Sequence, residues 1–228
     1  MIVKTRGIVI NYIKYRETSI IVKIFSEDYG MSAYIVNSIR SQRSKKSIGF
    51  FQPFSLLDMV AYVKSNSNIQ RLSEWKSFHP TFSIQQNIYK GTIVLFLSEI
   101  LSKVLVNESD EHQELFEFLT NSIIALDQLD HEIENFHLHF LLKMMPSLGF
   151  GISDGQELLL SMELENIHNE PEVIDLISRL LNASIWDPVK TTGEVRFKAL
   201  ETILAYYDHH DIHIGEIKSL KVLHKVFQ

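Results

Sequence analysis

The sequence predicts an α+β protein: a five-stranded barrel at the N-terminus followed by an all-helical domain. Three observations predict it. Over residues 1–80, apolar residues alternate in runs rich in Val, Ile, Tyr and Phe, and beyond His79-Pro80 the apolar spacing lengthens toward 3.6 residues. Charge changes sign at the same place: residues 1–80 carry twelve Lys and Arg against five Asp and Glu, a net of +7, whereas 81–228 carry ten against twenty-three, a net of −13. Finally, 45% apolar and 22% charged residues, with nine Gly and five Pro in 228, make a globular composition that excludes collagen-like, coiled-coil and wholly disordered chains.

The elements follow in order. Residues 3–12 alternate as a first strand, and 17–27, rich in β-branched residues, as a second. Asp28, Tyr29 and Gly30 make a turn into a third strand over 31–38. After a polar, basic loop, residues 50–63 resume an extended pattern, with Pro53 favouring an edge or a strand start, and 69–78 form the last strand. Five short strands in about eighty residues make a small closed or partly open barrel. Beyond it, Ile84, Ile88, Val94, Leu95, Leu101 and Leu105 mark one long, mostly buried helix. Ser109 or Asp110 caps a second, whose apolar face includes Leu115, Phe118, Leu119, Ile123 and Leu126. A third covers about 133–145 and stops near Pro146 and Gly149. Residues 157–166 read equally as strand or helix; helices follow over 172–181 and 194–209, before a short ending at 217–227. The domains are therefore 1–80 and 81–228.

The absence of cysteine excludes disulfides and thiolate metal sites. The first residues have no signal-peptide pattern and no eighteen apolar residues run together, which places the chain in the cytoplasm as a soluble protein, with no membrane partner.

The strongest candidate chemistry is electrostatic. Arg40, Arg43, Lys45 and Lys46 put four cations into seven residues, too many to bury together, so they are solvated or lie against an anion. With Lys4, Arg6, Lys14, Arg16 and Lys23 they are expected to form one contiguous strip that a phosphate backbone follows. Tyr12, Tyr15 and Tyr34 either offer faces for base stacking or help close the barrel. Other constellations are weaker. His209 and His213 have the i, i+4 spacing of a helical metal pair but lack the Glu of the zincin pattern, and they close a helix, where histidine complements the dipole. His137 and His139, two apart, point to different helix faces. Gly151-Ile152-Ser153-Asp154-Gly155 matches GxSxG literally, but that motif needs a strand-to-helix turn, and helical segments precede it here. Gly149, Gly151 and Gly155 read as a helix end and turn. No GxxxxGK occurs.

Lys4-Thr5-Arg6-Gly7-Ile8-Val9, Phe25-Ser26-Glu27-Asp28-Tyr29-Gly30, the basic loop from Arg40 to Lys46, and Phe51-Gln52-Pro53-Phe54-Ser55-Leu56-Leu57 together resemble RecO, a family of bacterial recombination mediators. Ile217-Lys218-Ser219-Leu220-Lys221-Val222-Leu223 and Val226-Phe227 extend the resemblance to the far end. It implies an OB-fold barrel and a helical C-terminal domain. It further implies binding of single- and double-stranded DNA, annealing of complementary strands, and loading of RecA together with RecR in DNA repair and recombination. Contact with the acidic tail of single-stranded DNA-binding protein is implied too. Lys4, Arg6, Lys14, Arg16, Tyr34, Arg40, Arg43, Lys45 and Lys46 are then the DNA-binding candidates, and the protein is nucleoid-associated. For the acidic tail, Lys143, Arg196, Lys198 and Lys218 are candidates because the helical domain has few cations. Such a protein is not an enzyme and needs no cofactor. Many relatives carry a four-cysteine zinc motif in the region matching 149–183; this chain lacks it, so zinc is not carried over and packing must hold that segment. The alternatives are a serine or metal-dependent hydrolase using Ser153 or His209 and His213, and an OB protein acting on RNA.

Overall fold

The computed structural model describes residues 1–41, 48–64, 67–105, 113–162 and 170–227. Arg43, Lys45, Lys46 and the expected caps Ser109 and Asp110 lie outside them. Five strands, β1 (Ile2–Tyr15), β2 (Ser19–Ser26), β3 (Gly30–Val36), β4 (Leu56–Tyr62) and β5 (Ile69–His79), close into a barrel in the order β1-β2-β3-β5-β4. Only the β3–β5 contact is parallel. This is the five-stranded barrel arrangement of an OB-fold.

β1 is long because it serves two neighbours. Its first half pairs with β4 from Ile2 to Ile8, and its second with β2 from Gly7 to Tyr15. A bulge between Val9 and Asn11 lets the strand turn that corner and reverses its parity. Before the bulge, Val3 and Val9 face the interior while Lys4, Arg6, Ile8 and Ile10 face outward; after it, Tyr12 packs inward. Gly7 lies on the inward side, where a Cβ would come within 2.5 Å of Ile24 Cγ2 on the adjoining β2, so no larger residue fits without displacing that side chain.

The expected strand over 50–63 starts later. Ile48–Phe51 form a single 3₁₀ turn and pairing begins at Leu56. Pro53 has no N–H to donate, and Phe54 adopts a positive φ of 66°, so the ladder cannot begin before them.

Eight helices follow among the described residues: α1 (Phe82–Gln86), α2 (Ile88–Val104), α3 (Gln113–Gln128), α4 (Phe136–Met144), α5 (Gly155–Met162), α6 (Pro171–Asn182), α7 (Gly193–His209) and α8 (Leu220–Val226). The single helix expected over 84–105 is therefore two. Asn87 is extended, and its Oδ1 accepts from Tyr89 N at 2.9 Å and Lys90 N at 3.3 Å, capping α2. The ambiguous 157–166 segment is helical as far as Met162, and its remainder lies outside the described residues. Gly149, at φ 88°, ends the 3₁₀ turn that follows α4.

The core has two compartments. One fills the barrel with Val9, Ile20, Val22, Ile24, Phe51, Leu57 and Met59 among others. The other belongs to the helices but also takes in Ile8, Ile10, Phe25, Phe54 and Leu56 from the outside of the barrel. Phe25 meets Phe116 of α3 with ring centroids 6.3 Å apart, and Phe54 meets Phe140 of α4 at 6.4 Å. One part of the barrel's outer surface, including Ile8, Ile10 and Phe25, is thus covered by the helices, and the candidate chemistry begins one outward position further along β2, at Lys23.

Candidate nucleic-acid interface

Strand pairing assembles an exposed face from residues far apart in sequence. Ile13 lies opposite Ile21, Ile21 opposite Ile35, and Ile35 opposite Arg71, whose guanidinium lies 6.0 Å from the centroid of the Tyr62 ring. The next rung joins Asn11, Lys23, Ala33 and Ile69. Successive outward residues stand about 7 Å apart along a strand, so Lys23 and Arg71 sit on adjacent rungs. Beyond the Arg71 rung is the β1–β2 turn. There Arg16 holds a positive φ of 50° and lies 5.2 Å from the Tyr15 ring centroid. Arg40 Nη1 donates to Arg16 O at 3.4 Å, which brings a second guanidinium to the same turn. Lys14, paired with Ile20 near the end of β1, is exposed as well. Lys14, Arg16, Lys23, Arg40 and Arg71 have no carboxylate partner among the described residues. The outer face of β2 and β3 and the β1–β2 turn are the parts of an OB-fold that generally contact oligonucleotides.

The other expected cations are placed differently. Lys4 and Arg6 precede the bulge, on the β4 side, in a cleft of about 880 Å³ where Lys76 and four acids, Glu27, Asp28, Asp58 and Glu74, interleave with them. Arg6 forms a two-point ion pair with Glu27, its Nε donating to Oε2 at 2.8 Å and its Nη2 to Oε1, and its guanidinium also lies over Phe78 and Phe116. The Glu27 hydrogen bond raises the pKa of Arg6, and the same bond holds the Glu27 carboxyl below the usual carboxylate range. The surplus is therefore divided between two regions of the barrel instead of forming one strip. Tyr34 cannot stack on a base: it is 1% exposed, inside the barrel, and burial raises its phenol pKa. Arg71 escaped the sequence reading because only the parallel β3–β5 pairing brings it to this face.

In the helical domain the four tail candidates separate. Arg196 is half-buried, with Nε donating to Asn135 Oδ1 at 2.7 Å and Nη1 to Phe227 O at 2.8 Å, so it ties α7 to the chain end. Lys198 bridges Glu170 and Glu194 at 2.8 and 2.9 Å, and those bonds raise its pKa. Both are internal fasteners. Lys218 is exposed just before α8. Lys143 borders an apolar pocket, of about 570 Å³, with Phe118, Ile124, Phe140, Ile185 and Trp186 in its wall. Its Nζ donates to Leu181 O at 2.5 Å, leaving two protons for a ligand, and the Trp186 side is open, that residue being 52% exposed.

The hydrolase constellations do not assemble. Ser153 Oγ donates to Glu157 Oε2 at 2.6 Å, while Asp154 Oδ1 accepts from Glu157 N at 2.8 Å; together these cap α5, and no strand leads into the turn. α7 ends at His209, and Asp211, at φ 60°, turns the chain away, so His209 and His213 do not share a helical face.

The comparisons agree with this architecture. The family model for the recombination protein O N-terminal region matches residues 1–81, and the model for its C-terminal region matches 85–153. The DNA repair protein RecO of Flavobacterium psychrophilum is 33% identical over the whole of both chains, and that of Flavobacterium johnsoniae 31% over the whole of both. The RecO protein of Bacteroides fragilis is 28% identical, again end to end. The chain therefore belongs to the RecO family of DNA repair proteins.

Proposed function

We propose that the protein is a recombination mediator whose barrel binds the sugar-phosphate backbone of single- and double-stranded DNA. It contributes charge and exposed apolar surface, with little reading of base edges. The observation that carries this reading is the group of unneutralised cations, Lys14, Arg16, Lys23, Arg40 and Arg71, around β1–β3, β5 and the β1–β2 turn. Annealing then requires no nucleophile. Cations screen two strands that repel each other, and base pairing supplies the driving energy. Membership of the family supports, as part of this proposal, loading of RecA with RecR and location at the nucleoid. The acidic tail of single-stranded DNA-binding protein fits the pocket of Lys143 and Trp186, where an apolar end is buried beside an ammonium group.

Salt titration tests the barrel. Five phosphates neutralised on a single strand correspond to a slope of about −3.5 in log affinity against log salt. Replacing Arg16, Lys23, Arg40 and Arg71 together by Ala should flatten the slope by about 2.8, whereas Lys4→Ala should leave it nearly unchanged. An unaltered slope in the fourfold variant removes this face from the account.

A further inference from the structure

Two exposed apolar patches stand near opposite ends of β5, and their rims carry opposite charge. The first lies where the barrel begins. Ile2 pairs with Tyr62 and Tyr62 with Arg71, while Ile69 precedes Arg71 by two residues and shares its face. Met1, Ile2, Tyr62 and Ile69 are between 42 and 78% exposed. Lys64 N donates to Gln70 Oε1 at 2.8 Å, which holds Lys64 beside the start of β5. Lys4, Lys64 and Arg71 border the patch; all three are exposed, and none has a carboxylate in ion-pair contact among the described residues. Glu74 shares the Lys4 rung across Val60, two strands and about 10 Å away.

The second lies where the helices begin. Phe82 of α1 and Ile88 and Tyr89 in the first turn of α2 are between 50 and 73% exposed. The α3–α4 loop runs beside them. At its start, Asp127 accepts from Ile84 N through Oδ1 and from Lys90 Nζ through its carbonyl, both at 2.9 Å. At its end, Asn135 Oδ1 accepts from Arg196, which also donates to Phe227 O, and the Phe227 ring lies 5.8 Å from that of Tyr89. Between these anchors Asp130, Glu132 and Glu134 are exposed, with no Lys or Arg in ion-pair contact among the described residues. Lys90 does not reach them as a surface cation, because it is buried with its ammonium on Ser83 Oγ and Asp127 O.

Exposed apolar patches rimmed by charge mark contact surfaces. Pairing either patch with its own copy would set like charges against each other, whereas each patch complements the other. They cannot meet within one molecule, because the eleven residues of β5, from Ile69 to His79, hold them about 33 Å of strand apart. We infer that the barrel-start patch of one molecule docks on the helix-start patch of a second copy, head to tail. Lys4, Lys64 and Arg71 face Asp130, Glu132 and Glu134, while Ile2, Tyr62 and Ile69 meet Phe82, Ile88 and Tyr89. Nucleic acid or an anionic membrane would neutralise the first patch and leave the second exposed, and a basic peptide would do the reverse; a second copy covers both. The contact is heterologous, so each assembly keeps one free patch at either end and lengthens with concentration. Its charged rim makes it weak and sensitive to salt.

The test is analytical ultracentrifugation of the full chain at low salt, up to about 100 μM, a range suited to a weak contact. The parent should sediment as more than one chain, growing with concentration, and return to single chains near 1 M salt, where the screening length falls to about 3 Å. A barrel-start variant carrying Tyr62→Ser, Lys64→Ser and Arg71→Ser should remain a single chain, and so should a helix-start variant carrying Ile88→Ser, Asp130→Ser and Glu132→Ser. Each variant keeps the patch that the other lacks, so their equimolar mixture should form a one-to-one dimer and stop there. Circular dichroism melts of both variants check that the fold is retained; these exposed positions should not shift them. A parent that stays a single chain at every concentration overturns the proposal, as does assembly of either variant alone. A mixture that stays single-chain, or grows beyond two chains, overturns it too. No nucleic acid is present, so the outcome is separate from that of the DNA face.

Discussion

At the scale of single residues, the helical domain tolerates uncharged histidine where charge would be costly. His137 is completely enclosed by apolar groups, including Phe96 and Phe227, with the Arg196 guanidinium nearby. Burial, reinforced by Arg196, pushes its imidazole down to about 3 from 6.5, and its Nδ1 has no hydrogen-bond partner. Between those values the unfolded chain binds a proton that the folded chain refuses. Stability therefore falls as pH drops from 6.5 toward 3, by up to about 1.4 kcal/mol per pH unit from this residue. His139, its pKa lowered chiefly by burial, adds to the same trend. Urea denaturation of His137→Phe should show a shallower acid dependence and, at neutral pH, stability equal to or slightly above that of the parent, because a buried polar atom without a partner is removed. A steeper acid dependence in the variant contradicts the assignment.

At the scale of elements, two side chains on successive turns of α2 hold the returning chain. Lys103 Nζ donates to Ile214 O at 2.5 Å and Glu216 O at 2.6 Å, while Glu99 accepts from Lys218 N, Ser219 N and Ser219 Oγ at 2.9, 2.9 and 2.6 Å. Burial opposes ionisation of Glu99, but the donors from Ser219 and Lys218 outweigh it and keep its pKa below normal. α8 is too short to be stable alone and depends on this clasp. Glu99→Ala should destabilise the protein by about 2–3 kcal/mol, through loss of charge-assisted bonds, and should speed hydrogen exchange at the Ser219 amide far more than at the barrel amides. Uniform exchange across the molecule would show that the clasp has no local role.

At the scale of the whole molecule, the barrel and the helices are not independent, despite their opposite charge. Ile8, Ile10, Phe25, Phe54 and Leu56 belong to the barrel by chain and to the helical core by packing. Phe54 holds a positive φ to reach that core, a strain that the surrounding packing sustains. Thermal melts followed by far-ultraviolet circular dichroism and by tryptophan fluorescence should coincide in one transition. Phe54→Ala should lower stability by about 3–5 kcal/mol for both probes together. Separate melting of the two probes would mean that the shared core does not couple the lobes.

The five strands, the helices that follow them and the change of charge near residue 80 were legible in the sequence, although the helix over 84–105 is two, because period-two and near-3.6 apolar patterns are local properties of the chain; the OB identity of the barrel came with the family resemblance. A local signal also marked Gly149 as a helix end, whereas the strand expected from residue 50, with Pro53 at an edge or a start, begins only at Leu56. What such signals could not show was which side chains would meet. The β1 bulge reverses the strand's parity and sends Lys4 and Arg6 into a cleft shared with acids, away from Lys14 and Arg16. Tyr34 reads as a stacking residue by type, yet its strand register turns it inward. Arg71 joins Lys23 only through a parallel pairing between strands more than thirty residues apart. Sequence determined the elements and the sign of their charge; tertiary structure decided which charges were neutralised and which were left for a partner. The physical reason is that secondary structure depends on neighbours along the chain, whereas neutralisation depends on neighbours across it.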